Sequence, residues 1–252
     1  MKERENPWIS GRTRRGGNVY PPALAERYKR IPTDGLRDWL MDDANTNRFE
    51  DHLDFYLQRF EGRHFEWFIG RSTGDLFDIF HVLAAEALSV DVPSSAARWL
   101  IEPSKTRDEL VKEAHCALAP GKETLWTCDQ SLLVGEKRSP DFGGPLFRLY
   151  YLLRQQGIGP VTSSKLLAAR FPKVIPIRDS MISTLIQLKR GDDWWSIARE
   201  MLQADGNSLA IHLSRLKVPA GAEEISILRR LDIVLWMESH AREFRSVRAQ
   251  QR

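Results

Sequence analysis

Disulfide frameworks, metal-ligand spacings and long apolar runs are what this chain lacks. Its 252 residues include two cysteines, Cys116 and Cys128, which suits reduced thiols better than a disulfide scaffold. The six histidines (52, 64, 81, 115, 212 and 240) show no His-x-x-x-His spacing and the cysteines no Cys-x-x-Cys, so no metal site is read. No phosphate-binding Walker loop and no Gly-x-Ser-x-Gly nucleophile elbow occurs. No stretch approaches ~18 uninterrupted apolar residues, and no run of signal-peptide length follows Lys2 and Arg4, so a cytoplasmic protein with no membrane partner is expected. Almost nothing alternates with period two, which leaves strands confined to short pieces such as residues 174 to 177.

What is present is helical periodicity. Phe49, Leu53, Tyr56, Leu57 and Phe60 form one apolar face, with Asn45 or Thr46 as its expected cap and Gly62 as its end. Further helices are expected from Asp75 to Val90, from Pro93 to Ile101, and from Thr106 to about Leu118, the last with Arg107, Asp108 and Lys112 outside. After residue 179 the pattern predicts helices to Gly191, from Asp193 to Gly206, from Ser208 to Leu216 and from Ala222 to His240. The fold class is therefore all-α. Residues 1–35, rich in Arg, Gly and Pro, read as a basic extended arm, and residues 36–252 as a single helical body. With 42% hydrophobic residues such a body has enough apolar material for a sizeable core.

The net charge of +3 is unevenly spread. Residues 131–190 hold ten Lys or Arg and three acids, a local net of +7, which leaves −4 over the other 192 residues. Such a block is the electrostatic footprint expected of a phosphate-binding surface.

That basic block contains the most structured stretch of the sequence. Leu146, Phe147, Tyr150, Tyr151 and Leu153 recur at helical steps up to Gln155-Gln156. Gly157 suits the left-handed cap that ends a helix, Gly159 allows a second turn, and Pro160 suits the first position of a new helix. Pro172 and Pro176 bias Phe171 and Ile175 toward extended backbone, giving a short strut that ends at Asp179, itself a preferred helix cap.

Gly157-Ile158-Gly159, a following helix, the segment Ile175-Pro176-Ile177-Arg178-Asp179 and the spacing of 20 between Gly159 and Asp179 together resemble the helix-hairpin-helix DNA glycosylases. The likeness covers about residues 140–185. It implies a two-lobed helical fold with the hairpin and Asp179 facing a cleft, and a monomer acting on double-stranded DNA. The implied activity is hydrolysis of the N-glycosidic bond of a flipped, damaged or modified base, in repair or in defence against modified phage DNA. Asp179 would be the catalytic residue, stabilising the developing positive charge and serving as general base. Gly157, Gly159, Val161, Thr162, Lys165 and Arg178 would grip the DNA backbone, and Trp67, Tyr150, Trp194 and Trp195 are candidate walls of the base pocket.

Departures from the family narrow that expectation. Gln155-Gln156 replace the usual Leu-Pro before the hairpin. Val161 occupies the place of the lysine that forms a Schiff base in bifunctional members, so no lyase activity is expected. Two cysteines are too few for the iron–sulfur cluster of some members, and no cofactor is expected beyond a monovalent cation at the hairpin when DNA is bound. The same residues also suit a non-catalytic helix-hairpin-helix DNA-binding protein.

Overall fold

A computed structural model describes residue 31 and residues 33–118, 123–135, 139–189 and 193–240. The expected basic arm falls almost wholly outside the described residues. Those described form eleven α-helices and two 3-10 turns, with no strand. None of the helices is long and apolar enough to cross a membrane.

The helices are α1 (Thr33–Met41), α2 (Asp43–Arg59), α3 (His64–Ile69), α4 (Ile79–Ala87), α5 (Ser94–Ile101) and α6 (Lys105–Ala117). They continue with α7 (Pro145–Gln155), α8 (Pro160–Arg170), α9 (Ser180–Leu185), α10 (Trp194–Arg215) and α11 (Ile227–Ser239). Helices α3 to α8 pack mainly on one another: α3 against α4, α4 against α5 and α8, α6 against α7, and α7 against α8. The two N-terminal helices pack instead on the C-terminal ones, α1 on α10 and α2 on α11, with α9 and α10 also on α11.

Several boundaries differ from the periodic reading, each for a local reason. Asp42 rather than Asn45 or Thr46 caps α2, accepting from the Ala44 amide at 3.0 Å. Asp78 rather than Asp75 opens α4. Its carboxylate accepts from the amides of Phe80 and His81, while its own amide donates to His81 Nδ1 at 3.1 Å, a reciprocal capping pair. Arg107, expected outside, is buried because its guanidinium caps the end of α5, donating to the carbonyls of Trp99 and Glu102 and to Asp108. Helix α9 stops at Leu185, where Gln187 turns left-handed at φ 55°. Helix α11 starts at Ile227, after a turn through Gly221 (φ 87°).

The break expected near Gly206 is real: within α10, Asp205, Gly206 and Asn207 all have left-handed backbone. Arg37 of α1 bridges that break, donating to Asp205 at 2.5 Å and to the Ser208 hydroxyl at 2.8 Å.

Candidate functional site

Two features adjoin α8: an exposed hairpin at its start, and a cavity lined by its last residues and by the extended strut that leads to α9. The hairpin follows its sequence signature. Gly157 has φ 74°, a backbone conformation that side chains rarely adopt, and Ile158 is buried as the anchor. A Cβ added at either Gly157 or Gly159 would meet no atom within 4 Å, so the loop is open toward solvent. Gly159 offers no side chain to cap α8, and Pro160 stands at its first position. The first N–H groups of any α-helix lack intrahelical partners, so the amides of Val161 and Thr162 face outward with the positive end of the helix dipole.

The strut is clamped from both sides. Ser164 of α8 donates to the Pro176 carbonyl at 3.3 Å and accepts from the Arg178 amide at 2.8 Å. Asp232 of α11 accepts from the Ile177 amide at 3.2 Å. These bonds satisfy backbone groups that an irregular buried segment would otherwise leave unpaired.

Asp179 caps α9, its Oδ1 accepting from the Met181 amide at 2.8 Å. Its Oδ2 lies 3.0 Å from Lys165 Nζ, and the residue is 8% exposed. Both carboxylate oxygens are therefore engaged. Lys165, expected among the residues that grip the DNA backbone, is not at the surface. It is buried, paired with Asp179, and donates to the Leu88 carbonyl at 2.7 Å. A lysine on the inner face of α8 has these two oxygens within reach, and burial without them would be costly. Arg178 is half-buried and Val161 and Thr162 are half-buried.

Ile175 and Ile177 of the strut line a cavity of about 720 Å³, within the range of about 300–1,000 Å³ usual for small-molecule sites. Its walls come from α3 with the turn before it, the end of α8, the strut residues Ile175 and Ile177, the 221–226 turn and α11. Trp67, half-exposed and stacked under Arg71 at 4.5 Å, stands among them. The other aromatic residues expected at a pocket are elsewhere. Trp194 and Trp195 are buried, and Tyr150 packs edge-on against Trp195 at 5.5 Å; none of the three lines the cavity. Their helical spacing reflects core packing.

A buried polar cluster on this wall was missed by the motif reading. Arg229 of α11 ion-pairs with Glu66 of α3, donates to the Tyr56 hydroxyl at 2.8 Å and to the Gly62 carbonyl at 3.3 Å. A Cβ at Gly62 would come within 1.9 Å of that hydroxyl, so only glycine leaves the space the cluster needs. Asp232, one turn on from Arg229, is 3% exposed, and its Oδ1 has no hydrogen-bond partner, nor does Glu66 Oε2. Burial pushes the Asp232 carboxyl up to about 8; the nearby Arg229 opposes this and Asp179 and Glu66 add to it. Burial likewise raises Tyr56 to about 12. Burial alone lowers Arg229, but the negative groups Glu66, Tyr56 and Asp232 outweigh it and hold the guanidinium charged. The signal available in the sequence was α11 itself. Arg229, Arg230 and Asp232 interrupt a segment that is apolar on every side, so they were unable all to reach solvent.

His81 also lines the cavity, and burial lowers its pKa, with Arg170 reinforcing the effect against Asp78. No group of three or more His, Cys, Asp or Glu among the described residues is arranged to hold a metal ion.

A family model described as a family of unknown function, DUF6308, matches residues 49–239. The chain belongs to that family. The DUF6308 match takes in the hairpin, the strut, Asp179 and the whole Glu66–Arg229–Asp232 cluster. No curated protein and no solved structure matches the chain.

Proposed function

We propose that this DUF6308 protein is a monofunctional DNA glycosylase that grips duplex DNA with the 157–160 hairpin and releases a base. The observation that carries the reading is the sequence hairpin, helix, strut, Asp179, with the hairpin open to solvent and a base-sized cavity beside the strut. The grouping of α3–α8 against α1, α2 and α9–α11 supports a two-lobed body, with the cavity walled by residues of both groups.

N-glycosidic cleavage passes through a sugar with oxocarbenium character. A carboxylate beside C1′ stabilises that charge and orients the attacking water. In this reading Asp179 has that role. Its Oδ2 is held by Lys165, so hydrolysis requires DNA binding to open that contact. The base must also leave the stack, at a cost of a few kcal/mol, which firm backbone contacts offset.

A second reading has its own observation. With both Asp179 oxygens engaged and the residue 8% exposed, the protein also suits a non-catalytic DNA clamp in which Asp179 only caps α9. The two separate in one experiment. The protein and its Asp179→Asn variant are incubated with duplexes carrying a range of damaged or modified bases, phage genomic DNA included, and abasic sites are then cut with alkali. Breaks that require Asp179 support the glycosylase. Salt-dependent binding without breaks across the panel supports the clamp, and absence of salt-dependent binding overturns both.

A further inference from the structure

Helix α7, which runs into the hairpin, turns an aromatic face away from the core. Leu146, Leu149 and Leu153 are fully buried on one side, while Phe147, Tyr151 and Arg154, at steps of four and three, share the other. Tyr150 and Leu152 pack on the core from the flanks, whereas Phe147 and Tyr151 are half-buried without joining it. The Phe147 and Tyr151 rings lie 4.8 Å apart, and Tyr151 meets Tyr150 edge-on at 5.2 Å. The exposed Arg154 guanidinium stands 5.9 Å from both tyrosine rings.

The start of this stripe is closely fitted. The Gly144 amide donates to the Val134 carbonyl at 3.0 Å. A Cβ at Gly135 would come within 2.4 Å of the Phe147 ring and 2.9 Å of the Phe142 carbonyl, so glycine is what lets the ring rest there. Val134 and Phe142 themselves are among the exposed large apolar residues. From Phe147 the stripe runs about 10 Å along the helix to Arg154 and on to Gly157.

An exposed apolar face marks a place of contact, and its charge indicates the partner. Among the described residues, the contacts of Arg154 are with rings and not with a carboxylate. The face belongs to residues 131–190, whose local net charge is +7. It ends at the open hairpin, where the first amides of α8 suit a phosphate. Aromatic rings beside cations, continuing into a phosphate-binding turn, stack unpaired bases while holding their backbone.

We propose that the outer face of α7 binds an unpaired DNA strand, its bases stacking on Phe147 and Tyr151 and its phosphates lying toward Arg154 and the hairpin. The DNA this protein takes is then one in which a duplex gives way to a single strand beside the hairpin. The duplex half of that substrate rests on the reading of the hairpin given above; the stacking face does not.

The test is fluorescence anisotropy with the whole chain and labelled DNAs: a blunt duplex, the same duplex with a thymidine overhang at its 3′ or its 5′ end, and a thymidine single strand. One of the overhang duplexes is expected to bind about tenfold more tightly than the blunt one, the scale of stacking a base on an aromatic ring. Tyr151→Leu and Phe147→Leu, checked for folding by circular dichroism, should remove most of that gain and leave blunt-duplex binding unchanged, while Tyr151→Phe and Tyr151→Trp keep it. Blunt-duplex binding with no gain from either overhang, or a gain that survives both leucine variants, overturns this proposal and leaves the hairpin reading standing. A single strand bound through Tyr151 with no duplex bound does the reverse. A dimer in sedimentation velocity that Tyr151→Leu dissolves gives the face to a second copy of the chain and overturns the proposal. No binding of any of these DNAs overturns both readings.

Discussion

Asp179, which ends the strut, and Asp232, which binds the Ile177 amide within it, are opposite in character. Asp179 is saturated: one oxygen caps α9 and the other meets Lys165. Asp232 keeps one buried oxygen without a hydrogen-bond partner, and burial drives it toward its neutral form. The contrast separates two jobs a buried acid can do. A carboxyl supplied with a cation and an amide is fixed by its partners, whereas one buried without a full set of partners favours its protonated form.

Four measurements would break or sharpen that comparison. The largest effect belongs to Asp179→Asn, which keeps the cap and removes the charge. If hydrolysis runs through Asp179, abasic-site formation should fall by roughly 10²-fold or more, the scale of losing one group that stabilises transition-state charge, with DNA binding intact. Retention of full activity would remove Asp179 from the chemistry.

Next in size is Arg229→Met. It strands Glu66 and Asp232 in the interior, and breaking a buried pair from one side costs about 3–5 kcal/mol. Urea unfolding followed by circular dichroism should show a loss on that scale. A variant as stable as the parent would mean that the cluster contributes nothing to the fold.

Third comes the pH dependence. The carboxyl of Asp232 is raised from 3.8 to about 8, so between those values the folded chain keeps a proton that the unfolded chain releases. Its contribution to stability is therefore complete below about pH 4 and is lost as pH rises to about 8. Asp232→Asn, permanently neutral, should flatten the curve and raise stability at pH 8 by something on the order of a few kcal/mol relative to the parent. Parallel curves of Tm against pH for the two proteins would show that Asp232 is charged throughout.

The smallest effect is at the hairpin. Gly157→Ala places a side chain at φ 74° and should cost roughly 1–2 kcal/mol. Gly159→Ala has ordinary φ and free space around it, so its stability should be unchanged. Both should weaken duplex binding if the loop lies against phosphates. A Gly159→Ala variant that binds DNA normally would take the hairpin out of the interface.

The difference between these regions also explains what could be read from sequence. The hairpin and strut were legible because glycine and proline act on their own backbone. Gly157 permits a positive φ that other residues avoid, Pro160, Pro172 and Pro176 fix φ or bias the residue before them, and the helices α7, α8 and the start of α9 follow. The Glu66–Arg229 pair joins residues 163 positions apart, and no local pattern pairs them. The same limit misplaced Lys165. A lysine in a basic block suggests a surface, yet the inner face of α8 carries it to Asp179 and Leu88. Trp194 and Trp195 show the converse, for aromatics at helical spacing fill cores far more often than they line sites.

The way the N-terminal helices pack sets the order in which the chain can fold. Helices α1 and α2 rest on α10 and α11, the Ile31 amide donates to the Leu185 carbonyl, and Arg37 fastens onto the break at Asp205. The apolar faces of α1 and α2 therefore stay uncovered until residues 180–239 have emerged from the ribosome. The contacts among α3–α8 close over far shorter stretches of chain, so that middle block is set to form first. The wall of the cavity supplied by α11 is then completed only when α11 docks on α2 and the middle block.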